Sequence, residues 1–474
     1  MNILSLFTSF VNYLNQILGN NLFMHELEHH ISDATYNLNL ETLKNILEFL
    51  DLEYKNSKER KEKYYVQQTR ERTLITSLGI ITFNKTYYKS KNKINGKYEY
   101  YSYLEDYLGI SKWAKLSLSA EVKLINNSVD NGMSWSSKNS IPNYKISRQT
   151  ISSKIKNINY NYLETFVKKE TPKILYIEAD EVHANLQSRN QNTKNKIVPV
   201  ILTHEGHKED FVKKKELKNT HYIASSILKT DKLWEETYKY LDSVYDLDKV
   251  DKIFLSSDGG TWITGYDIAF PNVIFVLDKF HYRKALNYIF KKEPITTKIA
   301  DDYLRNKMID EFKILVKSQC KLYPEQKDEM IKQQNYLLNH LDGIINQRHP
   351  DYKCPCSMEG HISNKYAKFI TSRPHAYSEN GLENITQLLT KKANNVKLTE
   401  EIYYKFKTGE SVYKKLNLEK FISEFRNQSN ELIDNTLKYD IQHLVDNNNF
   451  DLQDNYRLDY FLSKRIEKKY KLII

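Results

Sequence analysis

Between Lys173 and Phe290 the chain alternates short β-branched runs with amphipathic stretches, an order that leaves few folds open. KILYIEADEVHANL, KNKIVPVILTHEG and THYIASSIL read as three strands, and KLWEETYKYLDSVY reads as a helix. KVDKIFLSSD and NVIFVLD read as two further strands, the second leading into the helix KFHYRKALNYIF. Residues 290–352 are expected to form two long polar helices with no strand.

Three strands, a helix and two more strands with helices around them is the order of a ribonuclease-H-like core, a mixed sheet flanked by helices. Three acids stand in settings that such a core could join: Asp180 on the first strand, Asp258 just past the fourth, and Glu359 opening a later helix in CPCSMEGHISNKYAKFITSRP. Their separations, 258 − 180 = 78 and 359 − 258 = 101 residues, exceed any single helix or hairpin, so only a folded α/β core could bring them together. Carboxylates are hard ligands suited to Mg²⁺ or Mn²⁺. Two such ions roughly 4 Å apart stabilise both the attacking and the leaving oxygen of a phosphodiester displacement, so the pattern points to a nuclease-like enzyme.

Charge adds to this reading. The net charge is +11, and residues 51–170 hold 22 Lys and Arg against 12 Asp and Glu, so nearly all the excess falls in one region. That favours a polyanionic partner, and a DNA-contacting module fits. Within it, LSLSAEVKLINNSVDNG, SWSSKNSI and SRQTISSKIKNI read as helices, with Ser134 and Ser147 as N-caps and a break around Pro142. The last two read as a helix-turn-helix. Arg148 and Gln149 at the start of its second helix suit guanine and adenine edges, and Lys154 and Lys156 suit phosphates.

Cys320, Cys354 and Cys356 make an odd count in a long chain, which argues against a disulfide framework and for a reducing, cytoplasmic setting. MNILSLFTSFVNYLNQIL lacks a basic start and is interrupted by Asn and Gln, so neither a signal peptide nor a membrane span is expected. The abundance of Lys, Asn, Ile and Tyr suggests an A+T-rich bacterial genome.

The expected architecture is multidomain α/β. Residues 1–65 form a helical N-terminal region suited to oligomerisation, and 66–112 a small β unit built on a hairpin at 71–89 with a further turn at Asn95-Gly96. Residues 113–170 form the helix-turn-helix region. Residues 171–289 and 353–394 form the catalytic core, interrupted by a helical insertion at 290–352, and 395–474 form a helical C-terminal region ending in RIEKKYKLII.

The segments TLITSLGIITFNKTYY, SRQTISSKI, IEAD with its NLQ end, SDGGTWI, LDKFHYRKAL, and CSMEGHIS with TSRP resemble bacterial DDE transposases of ISLre-type insertion sequences, which share a pattern with the Mutator-like superfamily. The resemblance spans most of residues 70–385. It implies a ribonuclease-H-like core with Asp180, Asp258 and Glu359 at the positions of the three metal-binding acids, and it matches Asp278 and His281 to an Asp-x-x-His signature. It implies two Mg²⁺ or Mn²⁺ ions, double-stranded DNA (element ends and target) as partner, a homo-oligomer on DNA and a nucleoid-associated enzyme, with no membrane and no small-molecule substrate. The activity implied is metal-dependent strand cleavage at element ends, then strand transfer by a 3′-hydroxyl. A nuclease without strand transfer and an inactive DNA-binding regulator are the alternatives. Glu181 where glycine is common, Ser257, and HAYSENG after TSRP depart from the pattern.

Several residues carry second readings. Glu178, two residues earlier on the same strand face, and Glu181, on the other face, compete with Asp180. Asp258 could be a turn Asp before Gly259-Gly260, and Glu359 could complement a helix N-terminus. His281 could orient a ligand or cap a helix, and for Trp262 core packing is preferred to base stacking. His25-Glu26-Leu27-Glu28-His29 has the HExxH spacing, but no third ligand follows at a recognisable distance. Cys354 and Cys356 with His349 and His361 could bind zinc, although Cys-x-Cys is not the usual spacing.

Overall fold

The computed structural model describes residues 3–408 apart from 20–22, 94–95, 111, 157, 159–165, 188–193, 209–215, 267–269, 271–272 and 372–376, together with Ser423. Asn95 of the expected turn, most of TSRP and the tail RIEKKYKLII therefore lie outside the described residues. The chain divides into two compact units, residues 1–115 with 414–474 and residues 116–413. No described helix is long and apolar enough to cross a membrane.

The first unit opens with helices α1 (Ile3–Leu18), α2 (Met24–Asn56) and α3 (Lys58–Lys63). A hairpin of β1 (Tyr64–Thr76) and β2 (Gly79–Ser90) follows, with β3 (Tyr100–Tyr101) added to β2 and a short α4 (Tyr103–Tyr107). The hairpin is longer than its alternating stretch suggests, because β1 continues back to Tyr64. Its core joins Leu47 and Leu50 of α2 to Leu74, Ile81 and Phe83 of the hairpin and Leu104 of α4.

The second unit begins with α5 (Leu118–Asn131), α6 (Met133–Asn139) and α7 (Arg148–Lys156). Gly132, at φ 86°, links α5 directly to α6 and occupies the N-cap, so Ser134 lies inside the first turn rather than capping it. Ser147 does cap, its Oγ accepting from the Thr150 N–H at 3.0 Å. Residues 140–147 connect α6 to α7, a longer link than the roughly 3–4-residue turn of a compact helix-turn-helix.

A five-stranded sheet follows. It contains β4 (Ile174–Leu186), β5 (Lys194–His204), β6 (His221–Ala224), β7 (Lys252–Ser257) and β8 (Val273–Leu277), in the order β6-β5-β4-β7-β8. Strands β4–β5 and β5–β6 pair antiparallel, whereas β4–β7 and β7–β8 pair parallel. The mixed sheet read from the sequence is thus present, with α8 (Thr230–Val244) between the third and fourth strands.

Alternation sorts the strand residues onto two faces. Leu175, Ile177, Ala179 and Leu255 pack with Leu233, Trp234 and Leu241 of α8, and Trp262 packs against the same cluster. Tyr176, Phe254 and Val276 face the other way, with Cys354. Strand β7 pairs with β4 only as far as Ala179, and beyond that point β4 alternates between buried and exposed residues.

After β8 come α9 (Lys279–Ile289), α10 (Pro294–Arg305), α11 (Ile309–Leu322), α12 (Lys327–Asn339) and α13 (Leu341–Asn346). Four helices therefore occupy the stretch after α9 where two long ones were expected. Lys307 at φ 59° and the 3₁₀ turn at Pro324–Gln326 break the helical run, and Phe312, Val316, Met330, Leu337 and Ile344 bury a common core with Tyr282 and Leu286 of α9. Gly343 lets α13 approach β8 closely, since a Cβ there would stand 2.9 Å from the Leu277 nitrogen. Asn346 and Gln347 donate to the carbonyls of Phe275 and Leu277, each at 2.8 Å, and so satisfy the free edge of β8.

The chain then enters α14 (Met358–His361), a π-helical stretch Ile362–Ala367, and helices α15 (Lys368–Ile370), α16 (Glu379–Ala393) and α17 (Glu400–Thr408). Helix α16 lies along the opposite sheet edge. Gln387 donates to the Ala224 carbonyl at 3.0 Å, and Asn394 both accepts from and donates to the Tyr222 backbone, at 2.7 and 2.9 Å.

Candidate active site at the strand ends

The parallel register sets the first acids side by side. Ala179 pairs with Ser257 and Ser257 pairs with Leu277, so the next residue on each strand, Asp180, Asp258 and Asp278, falls on one row across β4, β7 and β8. Parity puts all three on the face of Tyr176, Phe254 and Val276. The row lies just past the carboxyl ends of β7 and β8 and midway along β4, where β4 loses its parallel neighbour and keeps β5 alone; carboxyl ends of parallel strands are where open α/β sheets bind ligands.

Each acid is held differently. The Asp180 side chain accepts the N–H of Glu181 at 2.8 Å. Its carboxyl is pushed up to about 6, by burial first and then by the charges of Asp258 and Glu359, against the opposing Glu181 N–H and His281. Asp258 Oδ1 accepts the Gly260 N–H at 2.9 Å, and its carbonyl accepts the Tyr336 hydroxyl at 2.7 Å. Its turn reading and its site reading therefore coexist. Gly259 adopts φ 78°, and a Cβ there would stand 2.2 Å from His340 Nε2, so the turn both needs the left-handed conformation and has no room for a side chain. Asp278 is buried and bonds His281 Nδ1 at 2.9 Å. That bond is the first cause of a raised His281 pKa, to which Asp258 and Asp180 also contribute.

Glu359 is exposed in the first turn of α14, and its charge reaches Asp180. The segment that carries it is tied to β4 by Glu178, a residue the sequence offered only as a competitor to Asp180. Glu178 is 1% exposed and accepts from the Ser357 N–H at 2.9 Å and from its hydroxyl at 3.1 Å. It also bonds His204 Nε2 at 3.2 Å. His204 Nδ1 accepts the Gly206 N–H at 3.0 Å, which assigns the ring proton to Nε2 and makes His204 the donor to Glu178. No sequence signal joins residues 178 and 357, which lie far apart on the chain. Cys356 shares the enclosure: burial, then Glu178, Asp278 and Asp180, raise its thiol pKa.

Asp180, Asp258, Asp278, His281 and Glu359 thus share one electrostatic environment, but not a closed coordination shell. Among the described residues no three His, Cys, Asp or Glu side chains stand close enough to hold a metal ion. The donor set itself fits a hard divalent cation, because the carboxylates that raise Asp180 are oxygen ligands whose repulsion such an ion would relieve.

The remaining candidates fall elsewhere. Arg148, Gln149 and Lys156 are exposed on α7, whereas Lys154 bonds the buried Glu121 at 2.5 Å. The HExxH stretch opens α2, where Glu26 accepts the Phe23 N–H at 2.9 Å and so serves the helix start. The zinc quartet disperses: Cys354 bonds His207, His361 bonds Tyr222, and His349 accepts the Asp351 N–H. Trp262 stacks on Trp234 with ring centroids 6.4 Å apart, in keeping with the core reading.

A family model described as an uncharacterised protein family, UPF0236, matches residues 17–405. One UPF0236 protein of Caldanaerobacter subterraneus subsp. tengcongensis is 30% identical over 445 residues, covering 92% of each chain. A second from the same organism is 30% identical over 440 residues, covering 90% of this chain and 91% of its own. Among solved structures, the Drosophila P element transposase strand transfer complex aligns over 76% of this chain and 93% of its own, at 12% identity and a TM-score of 0.20, too low to indicate a common fold.

Proposed function

The chain belongs to the UPF0236 family, and we propose that it is a transposase of the DDE type, like those of ISLre-type insertion sequences, which cuts DNA at the ends of its own element and joins them to target DNA. The observation that carries this reading is the row of Asp180, Asp258 and Asp278, set where β4 loses its pairing with β7 and just past the ends of β7 and β8, with the charge of Glu359 reaching it from α14. A sheet ordered third, second, first, fourth, fifth, with the first three strands antiparallel and the last two parallel to the first, is what a ribonuclease-H-like core would require, and it supports the same reading.

Asp180, Asp258 and Glu359 would hold two Mg²⁺ or Mn²⁺ ions. When bound, such ions activate the attacking oxygen and stabilise the leaving one. The protein's own groups do the rest. Glu178 fixes Ser357 and so limits where Glu359 can stand. Asp278 orients His281 by its hydrogen bond and favours its protonated form, a cation suited to a phosphate oxygen of the strand. Tyr336 holds the Asp258 turn through the main-chain carbonyl rather than through the carboxylate. In the first step water's oxygen would bond to phosphorus as the P–O3′ bond breaks, releasing a 3′-hydroxyl and leaving a 5′-phosphate; in the second that 3′-oxygen would bond to a target phosphorus and give up its proton as the target's own P–O3′ bond breaks and its 3′-oxygen leaves as a hydroxyl. Arg148, Gln149 and Lys156 would contact element ends, with Lys154 tied to Glu121, and the enzyme would act as a homo-oligomer at the nucleoid.

A catalytically silent DNA-binding regulator is favoured by one observation, the acids' failure to close into a metal-holding group. A cleavage and joining assay with Mg²⁺, on duplex carrying the sequences that flank the gene, separates the two. Nicked and joined products that vanish in Asp258→Ala support the transposase; nicks without joined products leave a nuclease; binding with no cleavage leaves the regulator.

A further inference from the structure

Helix α9 leads away from the row of acids and turns a basic, aromatic face to solvent. Lys279, Phe280, Arg283, Lys284, Tyr288 and Lys292 line a cleft of about 890 Å³ together with Asp278, Pro355 and Cys356. The spacing of Lys279, Phe280, Arg283, Lys284 and Tyr288 follows the helical repeat, so they form one strip, and Lys292, past the helix end, lines the same cleft. A solvated basic helix face is the ordinary explanation of such a run, but two features exceed it.

The first is aromatic. Phe280 is 51% exposed and Tyr288 37% exposed, each between cations, and among the described residues no carboxylate forms an ion pair with Lys279, Arg283, Lys284 or Lys292. The second lies in the backbone. Lys291 and Lys292 follow α9 at φ 53° and 63°, two consecutive left-handed residues where Gly or Asn would be relaxed. The turn aims Lys292 into the cleft, while the Lys291 ammonium lies 4.5 Å over the Tyr288 ring and bonds Gln326, steadying that ring.

Duplex DNA presents mainly phosphates and sugars to such a surface and leaves exposed rings without partners. An unpaired strand offers both phosphates for the cations and base faces for the rings. We infer that this cleft binds an unpaired stretch of DNA strand running from the acids, with Phe280 and Tyr288 stacking on bases and Lys279, Arg283, Lys284 and Lys292 on phosphates. That the strand is DNA rests on the proposed function; that it is unpaired rests on the cleft.

The test measures fluorescence anisotropy of the full-length chain, without divalent ions, on an oligothymidine of about 16 nucleotides and on a blunt duplex of equal length, across a salt series. Phe280→Ala is expected to weaken single-strand binding roughly fivefold or more with no change of salt slope. Arg283→Ala and Lys292→Gly are expected to lower that slope by about 0.7 each, and duplex binding is expected to hold in Phe280→Ala. Lys292→Gly also relaxes the left-handed turn, so its melting temperature should equal or exceed that of the wild type, which separates lost contact from lost fold. Wild-type single-strand affinity in both Phe280→Ala and Lys292→Gly overturns the inference, as does equal weakening on single strand and duplex. Asp258→Ala makes the two readings separable. Cleft-dependent single-strand binding in a protein that never cleaves leaves the cleft standing and removes the transposase; cleavage that persists beside an indifferent cleft does the reverse.

Discussion

Asp180 is the residue on which the site's electrostatics turn. With its carboxyl raised to about 6, the folded chain keeps a proton that the unfolded chain releases near pH 4. Stability conferred by the wild-type residue therefore falls as pH rises between about 4 and 6, and the loss is complete above that window. Asp180→Asn should consequently stabilise the protein above pH 6, on the order of 1–3 kcal/mol, with the gain vanishing below about pH 4. Denaturant melts across pH read this directly, and a pH-independent difference would show that the carboxyl is not raised by burial and its neighbouring acids. At pH 7.5, Mg²⁺ or Mn²⁺ should raise the wild-type melting temperature more than that of Asp180→Asn; equal shifts would take Asp180 out of the ligand set. Glu178 belongs to the same scale. Glu178→Gln would set an amide against three donors, from Ser357 and His204, and should destabilise by about 1–3 kcal/mol. An unchanged unfolding midpoint would show that Ser357 is held without it.

Helices and strands were legible to different degrees. The five strands stand out because β-branched runs bounded by turns leave little else possible, and the acids at strand ends are visible with them. The helices after α9 exceed the two expected because their breaks are made by a left-handed lysine, a 3₁₀ turn and a distorted backbone at His340 rather than by glycine. The duty of Glu178 was hidden for another reason: its partners are a backbone N–H and a hydroxyl from a distant segment, and main-chain donors leave no trace in residue type. Gly343 was equally silent, since close approach of α13 to β8 depends on geometry that composition does not encode. Gly343→Ala should overpack that contact and destabilise by about 1–3 kcal/mol; thermal melts equal to the wild type would mean that α13 can shift outward freely.

At the scale of the whole molecule, the proposed function and the proposed cleft divide charge between two tasks. Exposed Arg148, Gln149 and Lys156 on α7 suit duplex, whereas the strip on α9 suits unpaired strand. Arg148→Ala should therefore lower affinity for duplex carrying the gene's flanking sequence while leaving oligothymidine binding intact, measured by anisotropy at fixed salt. Loss on both substrates would merge the two surfaces into one. The sheet edges bear on the molecule differently. Side-chain amides of Asn346 and Gln347 on one border, and of Gln387 and Asn394 on the other, occupy backbone groups that another strand would otherwise recruit. The helices inserted after α9 are in this sense a selvedge: cut away, they would leave the β8 border with open carbonyls for a neighbouring strand to pair with.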